Sequence, residues 1–269
     1  MSLRFGVYGL VDKETAKKVE SLEELDIVDK IYFEHSLAEN LNVKGLSLDD
    51  MKGKIDFMMT VGGDGTLLKL LQNIDMPALG VNTGNVGFLT TTEVSEIKNA
   101  LKRIDRDEYF LDKRMKLDVF LNGKKECECV NEMVVHSDKI AKLREIKLIY
   151  GDKMIDCFRA DGVIISTPTG STSYCLSSGG PIVNPKLDVY ISVPIASFDL
   201  DAKPHVLPSD KPIEISLTER KCLMVMDGQK ERVVGHEDTI KVKKSDSRAK
   251  FIRFEDDFYE KVKKKLVKR

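Results

Sequence analysis

The segment with the clearest capacity for chemistry runs from Val61 to Lys69 and reads VGGDGTLLK. Its glycines let the backbone approach a ligand closely, and the free N–H groups at the start of the following helix suit a phosphate. Asp64 is unusual there, because a carboxylate repels phosphate. We expect it to face a hydroxyl that loses its proton or a Mg²⁺ ion. The segment matches neither the Walker A nor the GxGxxG pattern, and a tight turn with Asp64 as helix N-cap is the alternative.

A second segment combines an apolar strand with a polar loop. It runs from Asp161 to Tyr174 and reads DGVIISTPTGSTSY. Many short hydroxyl donors on an irregular backbone, with one aromatic ring, suit the recognition of a ribose and a base. A polar turn that binds nothing fits the same composition. The GxSxG pattern of serine hydrolases is absent, which argues against a nucleophilic serine.

Two polar residues, Asn131 and Glu132, interrupt the apolar run from Val130 to Val135. Buried polar groups are costly unless they are hydrogen-bonded. We therefore expect either internal hydrogen bonds or contacts to a hydroxyl-rich ligand. An amide and a carboxylate side by side can bind vicinal sugar hydroxyls as donor and acceptor.

The elements that must position these residues begin as alternating strands and helices, which predicts an open parallel α/β sheet. The strand before the GGDGT loop is nearly all apolar, as is typical of a strand covered on both faces. Strands are predicted at residues 3–9, 31–33, 55–61 and 78–81. Helices are predicted at residues 13–25, 66–73 and 93–104.

The rest of the chain is predicted to be β-rich. Asn122-Gly123, Tyr150-Gly151-Asp152 and Asp227-Gly228 are turn signals. Residues 255–269 predict a basic helix, whose final lysines we interpret as a solvated face, with a nucleic-acid tail as the weaker alternative. Strands are predicted at residues 109–121, 125–136, 144–149, 154–158, 162–166, 189–193, 213–217, 222–226 and 232–234.

The composition limits the class of protein. The 269 residues carry 43 Lys and Arg against 44 Asp and Glu, a net charge of −1. That balance excludes a strongly basic nucleic-acid binder, although a local basic pocket for a small phosphorylated ligand remains open. The five cysteines form an odd set without a CxxC pair, as expected of reduced thiols. No stretch approaches the length of a membrane span, so we expect a cytoplasmic protein.

Taken together and in this order, GGDGT, NTGNVGF at residues 82–88, Asn131-Glu132 and ADGVIISTPTGSTSY resemble the NAD kinase family over roughly residues 3–235. The resemblance implies an N-terminal Rossmann-like open α/β domain, residues 1–100, and a C-terminal β-sandwich-like, NAD-binding domain, residues 101–240. It also implies that residues 241–269 pack back on the first domain. The chain departs from the family pattern at residues 197–204, which read SFDLDAKP.

The resemblance implies transfer of the γ-phosphoryl group of ATP to the 2′-hydroxyl of the adenosine ribose of NAD, with Asp64 as proton acceptor. Gly65 matches the loop position that touches the dinucleotide, Lys69 matches a basic position one helical turn on, and Asn131 and Glu132 match the pair that holds the ribose. The segment implied to surround the adenine consists of Thr172, Ser173, Tyr174, Cys175, Leu176 and Ser177. Arg159 and Asp161 match the nicotinamide side, Lys142 falls where family members carry a cation, and Gln229 matches another binding position.

The resemblance also implies partners. Mg²⁺ or another divalent cation and ATP are the expected cofactor and donor, with polyphosphate as the donor in some members, and the metal ligands stay open. We expect the small molecules NAD and ATP as substrates, neither nucleic acid nor membrane as a partner, and a homodimer or homotetramer.

Two other functions are compatible with some of the same sequence features. A lipid or sugar kinase uses a similar GGDGT loop, but it should lack the Asn131-Glu132 pair and the Thr172–Tyr174 segment. A non-catalytic dinucleotide sensor would bind NAD or NADP without turnover, and the intact Asp64 argues against it.

Overall fold

The computed structural model describes residues 2–9, 12–84, 87–139, 142–218 and 221–266. Asn85 and Val86 of the NTGNVGF segment and the last three residues of the basic C-terminal run lie outside the described residues. The chain forms two compact units, Met1–Lys113 with Ala249–Arg269, and Arg114–Arg248. The boundaries predicted from the sequence fall after residues 100 and 240.

The first unit is the open α/β sheet that the alternating pattern predicts. Its strands follow the order β2-β1-β3-β4 and pair in parallel. The last strand of the chain, β17, adds Lys250 and Phe251 in parallel beside Pro77 and Ala78. The strands of this unit are β1 Leu3–Tyr8, β2 Val28–Phe33, β3 Phe57–Gly62, β4 Pro77–Asn82 and β5 Thr92–Glu93. Its helices are α1 Lys13–Glu20, α2 His35–Leu41, α3 Leu48–Met51, α4 Asp64–Leu71, α5 Ile97–Asp105 and α7 Phe258–Leu266.

The core of this unit explains why β3 reads as one apolar run. All of its side chains from Phe57 to Gly62 are buried, so both faces of the strand are covered, as in parallel sheets. Helix α5 buries Ile97, Ala100, Leu101 and Ile104, which recur at helical spacing. This packing fixes the carboxyl end of β3, where the GGDGT loop begins.

The second unit contains two antiparallel sheets. One follows the order β10-β9-β14-β17 and the other the order β13-β12-β11-β8-β15-β16. Side chains from both sheets, among them Ile146, Phe158, Val135 and Ile165, share one buried cluster, as in a β-sandwich. The strands are β6 Phe110–Leu121, β7 Lys124–Cys129, β8 Glu132–Ser137, β9 Arg144–Tyr150, β10 Lys153–Ala160, β11 Gly162–Ser166, β12 Val189–Ile195, β13 His205–Pro208, β14 Ile213–Leu217, β15 Cys222–Met226, β16 Lys230–Val234 and β17 Ile240–Arg253, with the short helix α6 Tyr174–Ser177.

Several sequence predictions need correction. The single strand predicted at residues 125–136 is two strands, because the chain breaks at Val130 and Asn131 between β7 and β8. Helices α2 and α3 and the long strand β17 were not predicted. The Asn122-Gly123 and Asp227-Gly228 turns are confirmed, since both residues of each pair have positive φ, as type I′ hairpin turns require.

None of the helices in the part of the chain that the structure describes has the length and apolar content needed to span a bilayer.

Candidate active site

Asp64 is the first residue of α4, directly after the carboxyl end of β3 and the N-cap residue Gly63. Its carboxylate accepts hydrogen bonds from the backbone N–H groups of Phe88 at 2.7 Å, Leu89 at 3.0 Å and Thr90 at 3.1 Å. The alternative interpretation of Asp64 as helix N-cap is therefore wrong. The side chain instead ties the GGDGT loop to the end of the NTGNVGF segment.

Gly87 shows how tightly these two segments meet. A Cβ atom at this position would overlap the carboxylate of Asp64 and lie 2.7 Å from the Oγ1 atom of Thr90. That same Thr90 hydroxyl accepts the N–H of Gly87 at 3.2 Å. The last glycine of the motif is thus required for the close approach of the backbone to Asp64.

The carboxylate of Asp64 can accept a further hydrogen bond from a substrate. An ionised carboxylate has about four lone-pair sites, and three backbone amides occupy three of them. Asp64 is half-buried, while Gly65 and Lys69 are exposed. Because a helix repeats every 3.6 residues, Lys69 lies one turn below Gly65 rather than below Asp64. Asp64 is thus a fixed hydrogen-bond acceptor beside the exposed backbone of Gly65 and the cation Lys69. It can accept the proton of a hydroxyl group that lies close to a phosphate.

The break between β7 and β8 is held by Asp227, a buried residue of the turn after β15. Its carboxylate accepts the backbone N–H groups of Val130 at 2.7 Å, Asn131 at 2.8 Å and Glu132 at 3.0 Å. The Asp227 N–H donates in return to the carbonyl of Glu132 at 2.9 Å. These bonds replace the sheet pairing that the broken strand loses.

The carbonyl groups of the same break are held from β11 and the loop after it. The Thr167 hydroxyl donates to the carbonyl of Val130 at 2.6 Å, and the Thr167 N–H donates to that of Asn131 at 2.8 Å. Gly170 packs so closely that a Cβ atom there would overlap the carbonyl oxygen of Asn131. The backbone of residues 130–132 is therefore fixed from both sides.

With the backbone fixed, the side chains of Asn131 and Glu132 present unused polar atoms. Among the described residues, the buried Oδ1 of Asn131 and Oε2 of Glu132 have no hydrogen-bond partner. The other carboxyl oxygen, Oε1 of Glu132, accepts the Ser173 hydroxyl at 3.2 Å. Buried polar atoms without partners are costly, so this pair is suited to bind a ligand that carries hydroxyl groups.

The protonation of Glu132 follows from its surroundings. Burial, and after it the negative charge of Asp227, raise the pKa of its carboxyl group to about 8, while the Ser173 hydroxyl opposes the shift. Desolvation disfavours the charged form, and a neighbouring like charge acts in the same direction. Glu132 is therefore largely neutral at pH 7 before any ligand binds.

The loop predicted to surround the adenine lies beside this pair. Residues 169–172 form a 3₁₀ turn that leads into α6. Tyr174 is 40% exposed, which leaves its ring open for stacking, and Thr172, Ser173 and Leu176 are half-buried. Cys175 is fully buried in an apolar cluster with Ile164 and Val193, so only its backbone can take part in binding. Ser177 is exposed.

The other predicted site residues have diverse surroundings. The Arg159 guanidinium pairs with Asp199 at 2.8 Å and lies 4.7 Å from the centre of the Phe198 ring, so its charge is already matched by the segment that departs from the family pattern. Asp161 is half-buried directly before β11, and Lys142 and Gln229 are exposed. Of these four, Gln229 lies in the turn of Asp227, which holds the backbone of Asn131 and Glu132, and all four belong to the second unit.

Two residues that hold the site together were not predicted from the sequence to do so. Asp227 was interpreted only as part of a turn, and Thr167 only as one of several hydroxyls. The sequence carried no signal that sets Asp227 apart, because Asp-Gly between two strands is typical of an exposed hairpin turn, and only the structure shows that this carboxylate is a buried charge. Such charges need partners, and here the partners are backbone amides of a distant segment.

In the described ranges, no three His, Cys, Asp or Glu side chains lie close enough together to hold an ion. Magnesium in phosphoryl-transfer enzymes is commonly bound by one or two carboxylates and the substrate phosphates.

Comparison with known proteins identifies the family. The sequence model of the ATP-NAD kinase N-terminal domain matches residues 4–109, and that of the ATP-NAD kinase C-terminal domain matches residues 130–254. A two-domain phosphotransferase is the class that the α/β unit, the β-sandwich unit and these matches define. The chain belongs to the NAD kinase family.

Individual relatives extend over most of the chain. An NAD kinase of Thermoplasma acidophilum is 36% identical over 91% of both chains, and one of Methanosarcina acetivorans is 38% identical over 88% of both. The crystal structure of an NAD kinase from Archaeoglobus fulgidus in complex with ATP is 30% identical, with a TM-score of 0.76 over 96% of each chain. Yeast NADH kinase in complex with NADH, 21% identical, shares the fold with a TM-score of 0.85, over 99% of this chain and 87% of its own.

Proposed function

We propose that this protein transfers the γ-phosphoryl group of ATP to the 2′-hydroxyl of the adenosine ribose of NAD, with Asp64 as the proton acceptor. The observation that carries the proposal is the carboxylate of Asp64, held by three backbone amides at the carboxyl end of a buried strand. Phosphoryl transfer depends mainly on positioning and on charge neutralisation. A rigidly held base adds a factor of roughly 10²–10⁴ to the rate.

We assign the ribose contacts to Asn131 and Glu132. Their unpartnered oxygens lie on a backbone that Asp227 and Thr167 fix from two sides. A ligand whose hydroxyl groups form hydrogen bonds with these oxygens relieves the cost of leaving them unpaired. The exposed ring of Tyr174, two residues after Thr172, supplies a flat surface for the adenine. Gly65, Lys69, Lys142, Arg159, Asp161 and Gln229 remain proposed contacts on the basis of the family resemblance.

ATP and Mg²⁺ belong to the same proposal. The relative from Archaeoglobus fulgidus was solved in complex with ATP, which supports ATP as the donor here. Exposed backbone at Gly63 and Gly65, at the start of α4, suits a phosphate. Mg²⁺ bound to the ATP phosphates neutralises their charge. The protein's own part is to orient the acceptor hydroxyl and to take its proton at a carboxylate oxygen of Asp64.

Assembly into a homodimer or homotetramer is supported by apolar side chains on two sheet edges of the second unit. Met154 on the edge strand β10 is 64% exposed, and Val206 on the edge strand β13 is 50% exposed. The nearby Phe198 and Leu200 are 62% and 87% exposed. Exposed apolar groups along edge strands are typical of surfaces that associate. A cytoplasmic location is supported by five cysteines that are all free thiols.

The first test measures NADP formation from NAD, ATP and Mg²⁺ with a dehydrogenase that uses only NADP. A matrix of NAD and NADH against ATP and polyphosphate then identifies acceptor and donor. Phosphorylation of a lipid or a sugar instead of NAD would favour the GGDGT kinase alternative. Tight NAD binding without turnover in any combination would favour the sensor.

The second test addresses Asp64 itself. Asp64→Asn keeps the size of the side chain but replaces one acceptor oxygen with an amide donor, and we expect at least a 100-fold loss of kcat. NAD binding, measured by calorimetry, should stay within a few-fold of the unaltered protein. The matched control is Asp26→Asn, because Asp26 is an exposed aspartate of the same unit. Turnover close to that of the control would remove Asp64 from the catalytic role.

A further inference from the structure

The C-terminal helix α7 places its lysines on two different surfaces. Lys263 and Lys264 are exposed, as the prediction of a solvated basic face requires. The Lys261 side chain is only 13% exposed, and its Nζ atom donates to the carbonyl of Thr90 at 3.1 Å. The Lys265 Nζ atom lies 4.5 Å from the centre of the Phe88 ring. The prediction is therefore wrong for Lys261 and Lys265, which contact residues beside the GGDGT loop.

The end of β17 holds the same segment. Arg253 is buried, and its Nη1 atom donates to the carbonyl of Thr90 and to the hydroxyl of Thr91, each at 3.2 Å. The Thr91 hydroxyl donates in turn to the carbonyl of Ile252 at 2.9 Å. The C-terminal part of the chain thus contacts Thr90 and Thr91 with two cationic side chains and one backbone carbonyl.

Thr90 is the residue at which the two sets of contacts meet. Its N–H donates to Asp64 at 3.1 Å, while its carbonyl accepts from Lys261 at 3.1 Å and from Arg253 at 3.2 Å. Cations on a carbonyl polarise the hydrogen-bonded chain to which it belongs. The same short segment therefore has Asp64 on its amide side and the C-terminal residues on its carbonyl side.

We propose that Lys261, together with Arg253, acts as a positioning residue that fixes residues 88–91 and through them orients the carboxylate of Asp64. This inference rests on the catalytic role proposed for Asp64. Loss of the Lys261 contact leaves the Thr90 carbonyl with a weaker set of donors, so the amides that hold Asp64 can shift. A displacement of about 1 Å at a reacting group can reduce a rate by up to about 10²-fold.

The test compares Lys261→Met, Lys261→Arg and, as the matched control, Lys263→Met on the exposed surface of the same helix. For Lys261→Met we expect kcat to fall at least about tenfold, with the KM values for NAD and ATP within about threefold. Lys261→Arg keeps the charge and should recover most of kcat, and Lys263→Met should match the unaltered protein. Because unfolded protein would also lower the apparent kcat without changing KM, each kcat is divided by the folded fraction measured by circular dichroism, and the split between kcat and KM then distinguishes positioning of Asp64 from a loss of substrate binding.

Hydrogen exchange at the amides of Phe88, Leu89 and Thr90 gives a readout that does not depend on catalysis. We expect faster exchange at these amides in Lys261→Met than in Lys263→Met. Unchanged exchange would overturn the proposal, and so would faster exchange with unchanged kcat. If the unaltered protein forms no NADP, the proposed function fails, and the exchange comparison still decides whether Lys261 fixes this segment.

Discussion

Replacement of Glu132 by glutamine tests the electrostatics of the Asn131-Glu132 pair. The substitution keeps the shape of the side chain and removes its titration. In the folded protein the pKa of Glu132 is raised from 4.5 to about 8, chiefly by burial and then by the charge of Asp227. The folded state therefore keeps a proton that the unfolded chain releases at lower pH, so the free energy of unfolding falls as the pH rises.

The size of this effect follows from the two pKa values. The stabilisation is complete below about pH 4.5, declines between there and about pH 8, and is lost above the folded-state value. Between pH 6 and pH 9, a single carboxyl group with these values lowers the free energy of unfolding by roughly 2–3 kcal/mol. Glu132→Gln should lack this decline, because an amide does not titrate in that range.

The assay is urea unfolding followed by circular dichroism at pH 6, 7, 8 and 9. Other groups titrate in the same range, so the relevant quantity is the difference between the unaltered protein and Glu132→Gln at each pH. Glu231→Gln is the matched control, since Glu231 is an exposed residue of the same unit. If the curves of the unaltered protein and Glu132→Gln run parallel, the assignment of a buried, neutral Glu132 is wrong.

Two further substitutions test the close contacts of the site. Gly87→Ala places a methyl group on the carboxylate of Asp64, and we expect a loss of kcat of about tenfold or more. The same change at Gly84, where an added Cβ meets nothing within 4 Å, should cost less in the NADP-coupled assay. Asp227→Asn removes the charge and at least one acceptor from the amides of residues 130–132, so we expect the KM for NAD to rise about tenfold. A KM for NAD within twofold of the unaltered protein, at normal stability, would show that these amides do not need the carboxylate.

Much of the fold could be predicted because its strands are short and strongly patterned. The strands Gly162–Ser166, Ile213–Leu217 and Cys222–Met226 have the bounds that the apolar runs predict. Strand β17 was missed because its central residues, KKSDSR, are polar and separate the buried apolar positions at its two ends, Ile240 and Val242 from Phe251 and Ile252. Helix α3 is only four residues long, too short for a helical period to appear in the sequence.

The site was predictable in its residue types but not in its connections. Asn131 and Glu132 stood out because polar residues are rare in an apolar run, and the structure shows oxygens of both without partners among its described residues. The break between β7 and β8 could not be predicted, since its cause, Asp227, lies 95 or more residues away. The same holds for Asp64, whose partners lie 24–26 residues further along the chain.

Asp64 and Asp227 share one arrangement, a carboxylate that accepts the N–H groups of three consecutive residues. Such an anchor contacts only the backbone N–H groups, so these contacts do not depend on which side chains the anchored residues carry. The segments at residues 88–90 and 130–132 can therefore exchange their side chains during evolution as far as these anchors are concerned. Proline is the exception, because it has no N–H to donate, and at any of these six positions it would disconnect the anchoring carboxylate from its segment.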